Sequence, residues 1–395
     1  MSFYASASFF LALVVLGVPA SVLGLAEKSL RRYGMVASCI MLALLFSQSP
    51  AQLVAFVAFL VVALVALRLT LASWRSGKKN LALYRACLAA TLAPLVIYKV
   101  SFAAGEGLWG FIGLSYVTFK AVQVLIEVRD GLIDQIGTCD YLYFLTFFAT
   151  VTSGPIDRSR RFLEDAHRTW TRAEYADYLG RGVLYILMGA VGQLVIATVA
   201  LKYFQLDRPL TALGLAWGIG RQVVNAYLYG IYLFFDFAGY SLMAIGASYV
   251  FGIRTPRNFH APYLALDIKD FWNRWHITLS TWLRDFVFMR LVRTATKCKW
   301  FKDRQRRAGF GYVANMLVMG AWHGLTLDYL LYGLYHGVLL AATDTWQKKS
   351  RFYRAHKDDG WFRALEWFVT MQLVIVGFAI FSGQLGYIVG RVVNG

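Results

Sequence analysis

The chain has 395 residues, 58% of them hydrophobic and only 16% charged, with a formal net charge of +18 at pH 7. Soluble domains carry about 25% charged residues, and a mean hydropathy of +0.52 excludes that class. The cationic excess reads as the Lys/Arg bias of cytoplasmic loops, with anionic lipid headgroups as a natural contact; no nucleic-acid partner is expected.

Apolar runs long enough to cross a ~30 Å hydrocarbon core recur along the sequence. The first spans about Phe3–Leu25, with no positive segment before it, so a cleaved signal peptide is not expected. A basic turn (Lys28, Arg31, Arg32) leads to Met35–Phe46, a chargeless loop at Gln48–Pro50, and the run Ala51–Trp74 before Arg75, Lys78 and Lys79. Basic turns on one side and a chargeless one on the other place the N-terminus outside the cell membrane. Leu81–Ala104 is a fourth run, and Phe111–Val128 is interrupted by Lys120, Gln123 and Glu127, which suits a segment inside the bundle or at an interface.

Tyr141–Ser153 leads into a Gly-Pro turn and the basic SGPIDRSRRF (153–162); 163–178 reads as a polar surface segment. Arg181–Phe204 is another span, and Leu210–Phe251 is long enough for two crossings, with Asp236 inside it. An acid at that depth must be paired, protonated or facing water. Gly311–Trp322, Leu325–Trp346 and Ala364–Val393 complete the series. The expectation is an all-α polytopic membrane protein with about 11 crossings plus shorter helices, forming one domain over residues 1–395. The four cysteines (Cys39, Cys87, Cys139, Cys298) lack CxxC spacing and read as small hydrophobes.

Phe271–Arg290 (FWNRWHITLSTWLRDFVFMR) stands out, because it is too polar to cross a bilayer comfortably. As a single helix it would gather Trp272, Trp275, Leu279, Leu283 and Phe286 on one apolar face, with His276 in the middle. His276 is then either a working residue or a packed imidazole bonded to a neighbouring Tyr or Ser. His323, in VMGAWHG (318–324), closes an apolar helix before a glycine. It is either a proton acceptor favoured by the helix dipole or a cap on a buried helix end. His336, beside Tyr332 and Tyr329, suits a Tyr–His core, whereas His167, His260 and His356 fall in polar loops.

Metal-ligand spacings, a GxSxG elbow and nucleotide loops are missing. Two intramembrane histidines without these suit acyl transfer from a pre-activated donor, with histidine as general base on an acceptor hydroxyl.

FWNRWHITLSTWLRDFVFMRLV (271–292) followed by WHG (322–324) resembles the membrane-bound O-acyltransferase (MBOAT) superfamily. SGPIDRSRRF and YGIYLFFDFAGYSLMAIGASYVFGIRTPRNF (229–259) look like its teichoic-acid D-alanyl transfer branch, over roughly Phe111–Gly337. The resemblance implies a ring of transmembrane helices with short re-entrant or interfacial helices around a central funnel. It implies a catalytic pair, His323 as base and His276 as positioning or oxyanion-stabilising group. No cofactor would be bound; D-alanine would arrive as a thioester on the phosphopantetheine of an acidic cytoplasmic carrier protein. A membrane-anchored partner with an extracellular domain would assist, and a (lipo)teichoic acid or similar envelope polymer would accept the acyl group. O-acetylation of an exported polysaccharide and transport of an activated alanyl group are the alternatives.

Phe286, Met289 and Val292 offer an apolar edge flanked by Arg290 and Arg293. Between 290 and 307 there are eight Lys/Arg against Asp303. An apolar centre with a cationic rim suits an acidic carrier; a helix lying in anionic headgroups is the simpler alternative.

Overall fold

The computed structural model describes residues 6–106, 110–204, 215–384 and 386–387, and among them the regular structure is helical. Parts of the expected runs at 3–5, 210–214 and 388–393 lie outside the described residues. In chain order the helices are α1 (Ala7–Leu25), α2 (Arg31–Phe46), α3 (Pro50–Arg75), α4 (Leu81–Ala103), α5 (Leu114–Arg129), α6 (Thr138–Thr146), α7 (Phe148–Val151) and α8 (Ser159–His167). There follow α9 (Arg172–Ala190), continued by a π-helical segment into α10 (Thr198–Tyr203), and α11 (Leu215–Val250). The remainder is α12 (Ile268–Arg274), α13 (Ile277–Leu283), α14 (Met289–Lys297), α15 (Arg304–His323), α16 (Leu327–Lys349), α17 (Arg351–His356) and α18 (Gly360–Phe381).

Among the described residues six helices are long and apolar enough to cross a membrane: Ala7–Leu25, Pro50–Arg75, Leu81–Ala103, Arg172–Tyr203, Gly220–Val250 and Gly360–Phe381. The apolar runs alone suggest about 11. The difference lies in helices that are short or carry polar groups. α2 and α5 have 16 residues each, α15 opens with three arginines, and α16 carries Asp328, His336 and Asp344. The stretch expected to cross twice contains one 36-residue helix, α11. At 1.5 Å per residue it is about 54 Å long, because no Pro or polar loop interrupts it.

Two compact units share the chain: Met1–Ala190 with Tyr240–Arg257, and Val191–Gly239 with Asn258–Gly395. In the first, α3 shows how the sequence divides its faces. Val54, Val57, Val61 and Val65 form an exposed stripe at helical spacing, whereas Phe56, Phe59, Ala63, Ala66 and Thr70 are buried. Lipid covers the first stripe without penalty, so the second is defined by close packing of small and aromatic groups. α5 lies inside this unit. Lys120, 1% exposed, donates from Nζ to the Phe144 carbonyl at 3.2 Å and to Thr150 Oγ1 at 2.8 Å. Glu127 accepts from Ser159 Oγ at 3.2 Å. Lys120 and Glu127 are tolerated at this depth because each has a protein partner instead of lipid.

The 153–162 motif is structural in the same unit. Arg161 binds Asp157 and the Arg254 carbonyl, and its Nε–Asp157 Oδ1 distance is 2.8 Å. Arg254 Nε donates to Asp165 Oδ1 at 2.9 Å, and that carboxylate holds the Arg254 guanidinium above its ordinary pKa. Residues 163–178 are amphipathic rather than simply a surface segment, since Ala166, Trp170 and Tyr175 are buried.

In the second unit α15 and α16 approach closely through small residues. A Cβ on Gly333 would lie 2.4 Å from the Met316 carbonyl, and one on Gly337 would lie 2.7 Å from Val313 Cα. Any larger side chain would force the helices apart. The seam sets His323, the last residue of α15, against the start of α16. Asp236 is paired: its Oδ1 accepts from Gln193 Nε2 at 3.0 Å.

Candidate active site

Phe271–Arg290 is not one helix. α12 ends at Arg274, Trp275 is extended (φ −103°, ψ 129°), and His276 takes the left-handed conformation (φ 43°, ψ 50°) as the N-cap of α13. A π-helical turn, Arg284–Phe288, separates α13 from α14. The single apolar face expected from helical spacing therefore does not exist, and Thr278 and Trp282 are buried as well as Leu279.

Long-range hydrogen bonds impose the break. The Ile277 N–H donates to the Asn258 carbonyl at 2.8 Å, and the His260 N–H donates to the Arg274 carbonyl at 3.0 Å. Thr278 Oγ1 donates to Asn258 Oδ1 at 2.6 Å. The segment from Asn258 to His260 thus grips the bend on both sides of His276. A left-handed residue with a side chain costs about 1–2 kcal/mol, and such strain concentrates at functional sites.

His276 is 3% exposed, and both ring nitrogens are buried without a hydrogen-bond partner among the described residues. The account in which a neighbouring Tyr or Ser holds the imidazole is therefore not met. Its ring stands edge-on to Phe237, with centroids 4.6 Å apart, and 6.1 Å from Trp322. Trp322 is in turn 4.5 Å from His323. One indole thus contacts both imidazoles. His323 is enclosed by Phe381 at 4.9 Å and Tyr329 at 5.9 Å. The glycine of WHG has a steric reason: a Cβ on Gly324 would lie 2.5 Å from the Tyr329 ring.

His336 lies in the core, as its tyrosine neighbours suggest; Tyr332 is 4.6 Å away. Its Nδ1 also accepts from Trp272 Nε1 at 3.3 Å. Trp272 forms one wall of a cavity of about 210 Å³ whose other walls include Asn273, Ile277, Arg284, Asn315 and Met319. Neither His276 nor His323 lines it, but Ile277 follows His276 directly and Met319 is one turn before His323. The buried Asn315 Oδ1 has no hydrogen-bond partner among the described residues.

The profile of MBOAT, the membrane-bound O-acyltransferase family, matches residues 38–382. The chain belongs to this family. The teichoic acid D-alanyltransferase of Bacillus subtilis (strain 168) is 38% identical over 97% of this chain and 98% of its own length. That of Streptococcus thermophilus (strain ATCC BAA-250 / LMG 18311) is 41% identical over 74% of this chain and 73% of its own. The probable alginate O-acetylase AlgI of Pseudomonas syringae pv. tomato (strain ATCC BAA-871 / DC3000) is 31% identical over 71% of this chain but only 50% of its own length. The chain is thus a multi-pass membrane O-acyltransferase.

The structure brings some of the remaining expected site residues together and separates others. Met289 is 56% exposed, and Arg293, one turn on, is exposed beside it. The Arg290 guanidinium lies 5.7 Å over the Phe286 ring, which packs on Trp282 at 5.1 Å. Val292 turns away from this edge: a Cβ on Gly311 of α15 would lie 2.6 Å from its Cγ2. Sequence reasoning did not single out Asn258, Trp322 or Asn315. Only Trp322, beside His323 in the WHG motif, carried a local signal.

Proposed function

We propose that this protein moves D-alanine from a phosphopantetheinyl carrier-protein thioester to hydroxyls of teichoic acid or a similar envelope polymer. The observation that carries the proposal is the near full-length likeness to a teichoic acid D-alanyltransferase, 38% identical over 97% of the chain. The alginate acetylases match only half of their own length, which favours the alanyl reading over O-acetylation.

In this reading the His323 imidazole takes the proton of the acceptor hydroxyl. The oxygen attacks the thioester carbonyl, giving a tetrahedral oxyanion. The neighbouring His276, whose ring nitrogens have no hydrogen-bond partner among the described residues, supplies an N–H to that oxyanion. Collapse breaks the C–S bond, and the proton held by His323 passes to the leaving thiolate. Ester and free carrier thiol are the products. The cavity between Trp272 and Asn315 is a route by which the donor arm reaches this pair, with the unsatisfied Asn315 Oδ1 as acceptor for an amide of the arm.

The carrier docks on the edge formed by Phe286, Met289, Arg290 and Arg293; Val292 supports it from behind. An exposed thioether with two arginines beside it complements an acidic surface. The same proposal includes one domain over residues 1–395, an external N-terminus, a membrane-anchored extracellular partner, and a ring of helices around a central funnel.

The direct test supplies the purified protein with carrier charged with D-alanine and with teichoic acid, against an acetylated donor with alginate. Ester formation only in the first pairing is expected. Transfer only in the second would replace D-alanylation with polysaccharide O-acetylation.

A further inference from the structure

On an exposed face of the α15–α16 pair lies a groove of about 790 Å³, lined by neither His323 nor His336. Its floor is small, made by Gly309, Ala341 and Ala342, and its walls are Phe310, Val338 and Trp346. The one hydroxyl at its edge is turned to protein: Thr345 Oγ1 donates to the Ala341 carbonyl at 2.7 Å and accepts from Gln305 Nε2 at 3.1 Å. The surface left is apolar and shaped as a channel, about 12 Å long over the nine residues from Val338 to Trp346.

Two cations continue the groove by one helical turn. Arg306 precedes Phe310 by four residues on α15, and Lys349 follows Thr345 by four on α16, so each shares the face of the groove wall it extends. Both are exposed. The turns that carry them are joined, because Gln305, beside Arg306, donates from Nε2 to Thr345 Oγ1 at 3.1 Å, one turn before Lys349; α15 itself begins at the carboxylate-bearing N-cap Asp303. That carboxylate is committed to capping α15, accepting from the Gln305 N–H at 3.0 Å, which holds its pKa below the ordinary value. Trp346 and Trp300, each 50% exposed, lie near this end of the two helices, the aromatic placement typical of a membrane–water boundary.

We propose that this groove is a binding site for an anionic glycerophospholipid, with an acyl chain in the channel and the headgroup phosphate between Arg306 and Lys349. The charge complementarity chooses the occupant: a zwitterionic lipid would fill the channel equally well but gain less from two cations set at one mouth. The proposal is independent of the acyl-transfer reading, because none of these residues contacts either histidine of the proposed pair.

The test measures lipid retained by the detergent-purified full-length protein, by native mass spectrometry, after equilibration with equal phosphatidylglycerol and phosphatidylcholine. Phosphatidylglycerol should be retained about 30-fold better, from about 1 kcal/mol for each cation. The exposed double substitution Arg306→Gln/Lys349→Gln should reduce that preference to about twofold or less, and Ala342→Trp, which fills the channel, should release the bound lipid. Monodisperse elution of each variant verifies its fold, and the double substitution provides a test even where the tryptophan does not fold. Equal retention of the two lipids by the unaltered protein, or an undiminished preference in the double variant, would overturn the proposal.

Discussion

Trp272 Nε1 donates to His336 Nδ1 at 3.3 Å, across 64 residues of sequence, and this pair fixes a wall of the cavity beside the candidate histidines. An indole can only donate, so the bond assigns the acceptor role to Nδ1 and the proton to Nε2 of a neutral ring. Nε2 faces Gly377, where a Cβ would approach to 2.5 Å. The third intramembrane histidine thus positions an aromatic wall. His336→Phe should lower stability by about 1–3 kcal/mol, the cost of leaving a buried indole N–H unsatisfied. It should also raise KM for the charged carrier more than it lowers kcat. A loss of kcat as large as that of a His323 variant would instead make His336 a participant in the chemistry.

His276 permits backbone and side chain to be separated. Glycine adopts the left-handed conformation without penalty, so His276→Gly should keep the bend between α12 and α13 and fold at least as stably as His276→Ala. Both should nevertheless lose about 100-fold or more in kcat, the usual effect of removing one oxyanion donor. Recovery of activity in the glycine variant would mean that the turn matters and the imidazole does not.

Asn258 holds that bend through Thr278 Oγ1 at 2.6 Å. Asn258→Ala leaves a buried hydroxyl without its acceptor, and a destabilisation of about 1–3 kcal/mol is expected in thermal melts. The rate should fall with it, since small displacements of a catalytic group cost up to about 100-fold. An unchanged melt together with an unchanged rate would remove Asn258 from the positioning of His276.

On the proposed docking edge, Met289→Asp should abolish capture of the carrier by the detergent-solubilised protein without altering its elution profile. Val292→Asp is expected to behave differently. It sets a charge against Gly311 of α15 and should lower stability first. Undiminished carrier capture by the Met289 variant would move the interface elsewhere.

Much of this was legible in the sequence, and the rest was not for identifiable reasons. Apolar runs located the six spans but also counted shorter and more polar helices as crossings, and polar residues in 111–128 correctly marked a segment inside the protein, because the cost of polar groups against lipid is local. The end of α15 at His323 followed from its glycine. The break at Trp275–His276 was hidden because the local spacing is compatible with an uninterrupted helix. Asn258, 20 residues before Thr278, interrupts it through tertiary hydrogen bonds. The same applies to the Trp272–His336 bond, which local spacing cannot signal. The single helix α11 was divided in two by a length argument that assumed every long apolar run must turn within the bilayer.

The claim that the whole account depends on is that His323 performs the proton transfer. Its measurement is D-alanyl ester formation by purified His323→Ala with charged carrier and teichoic acid, after carrier capture has shown that docking is intact. The account predicts intact capture and a rate at least about 100-fold below that of the unaltered protein, the usual contribution of a general base. Ester formation at the unaltered rate would contradict it.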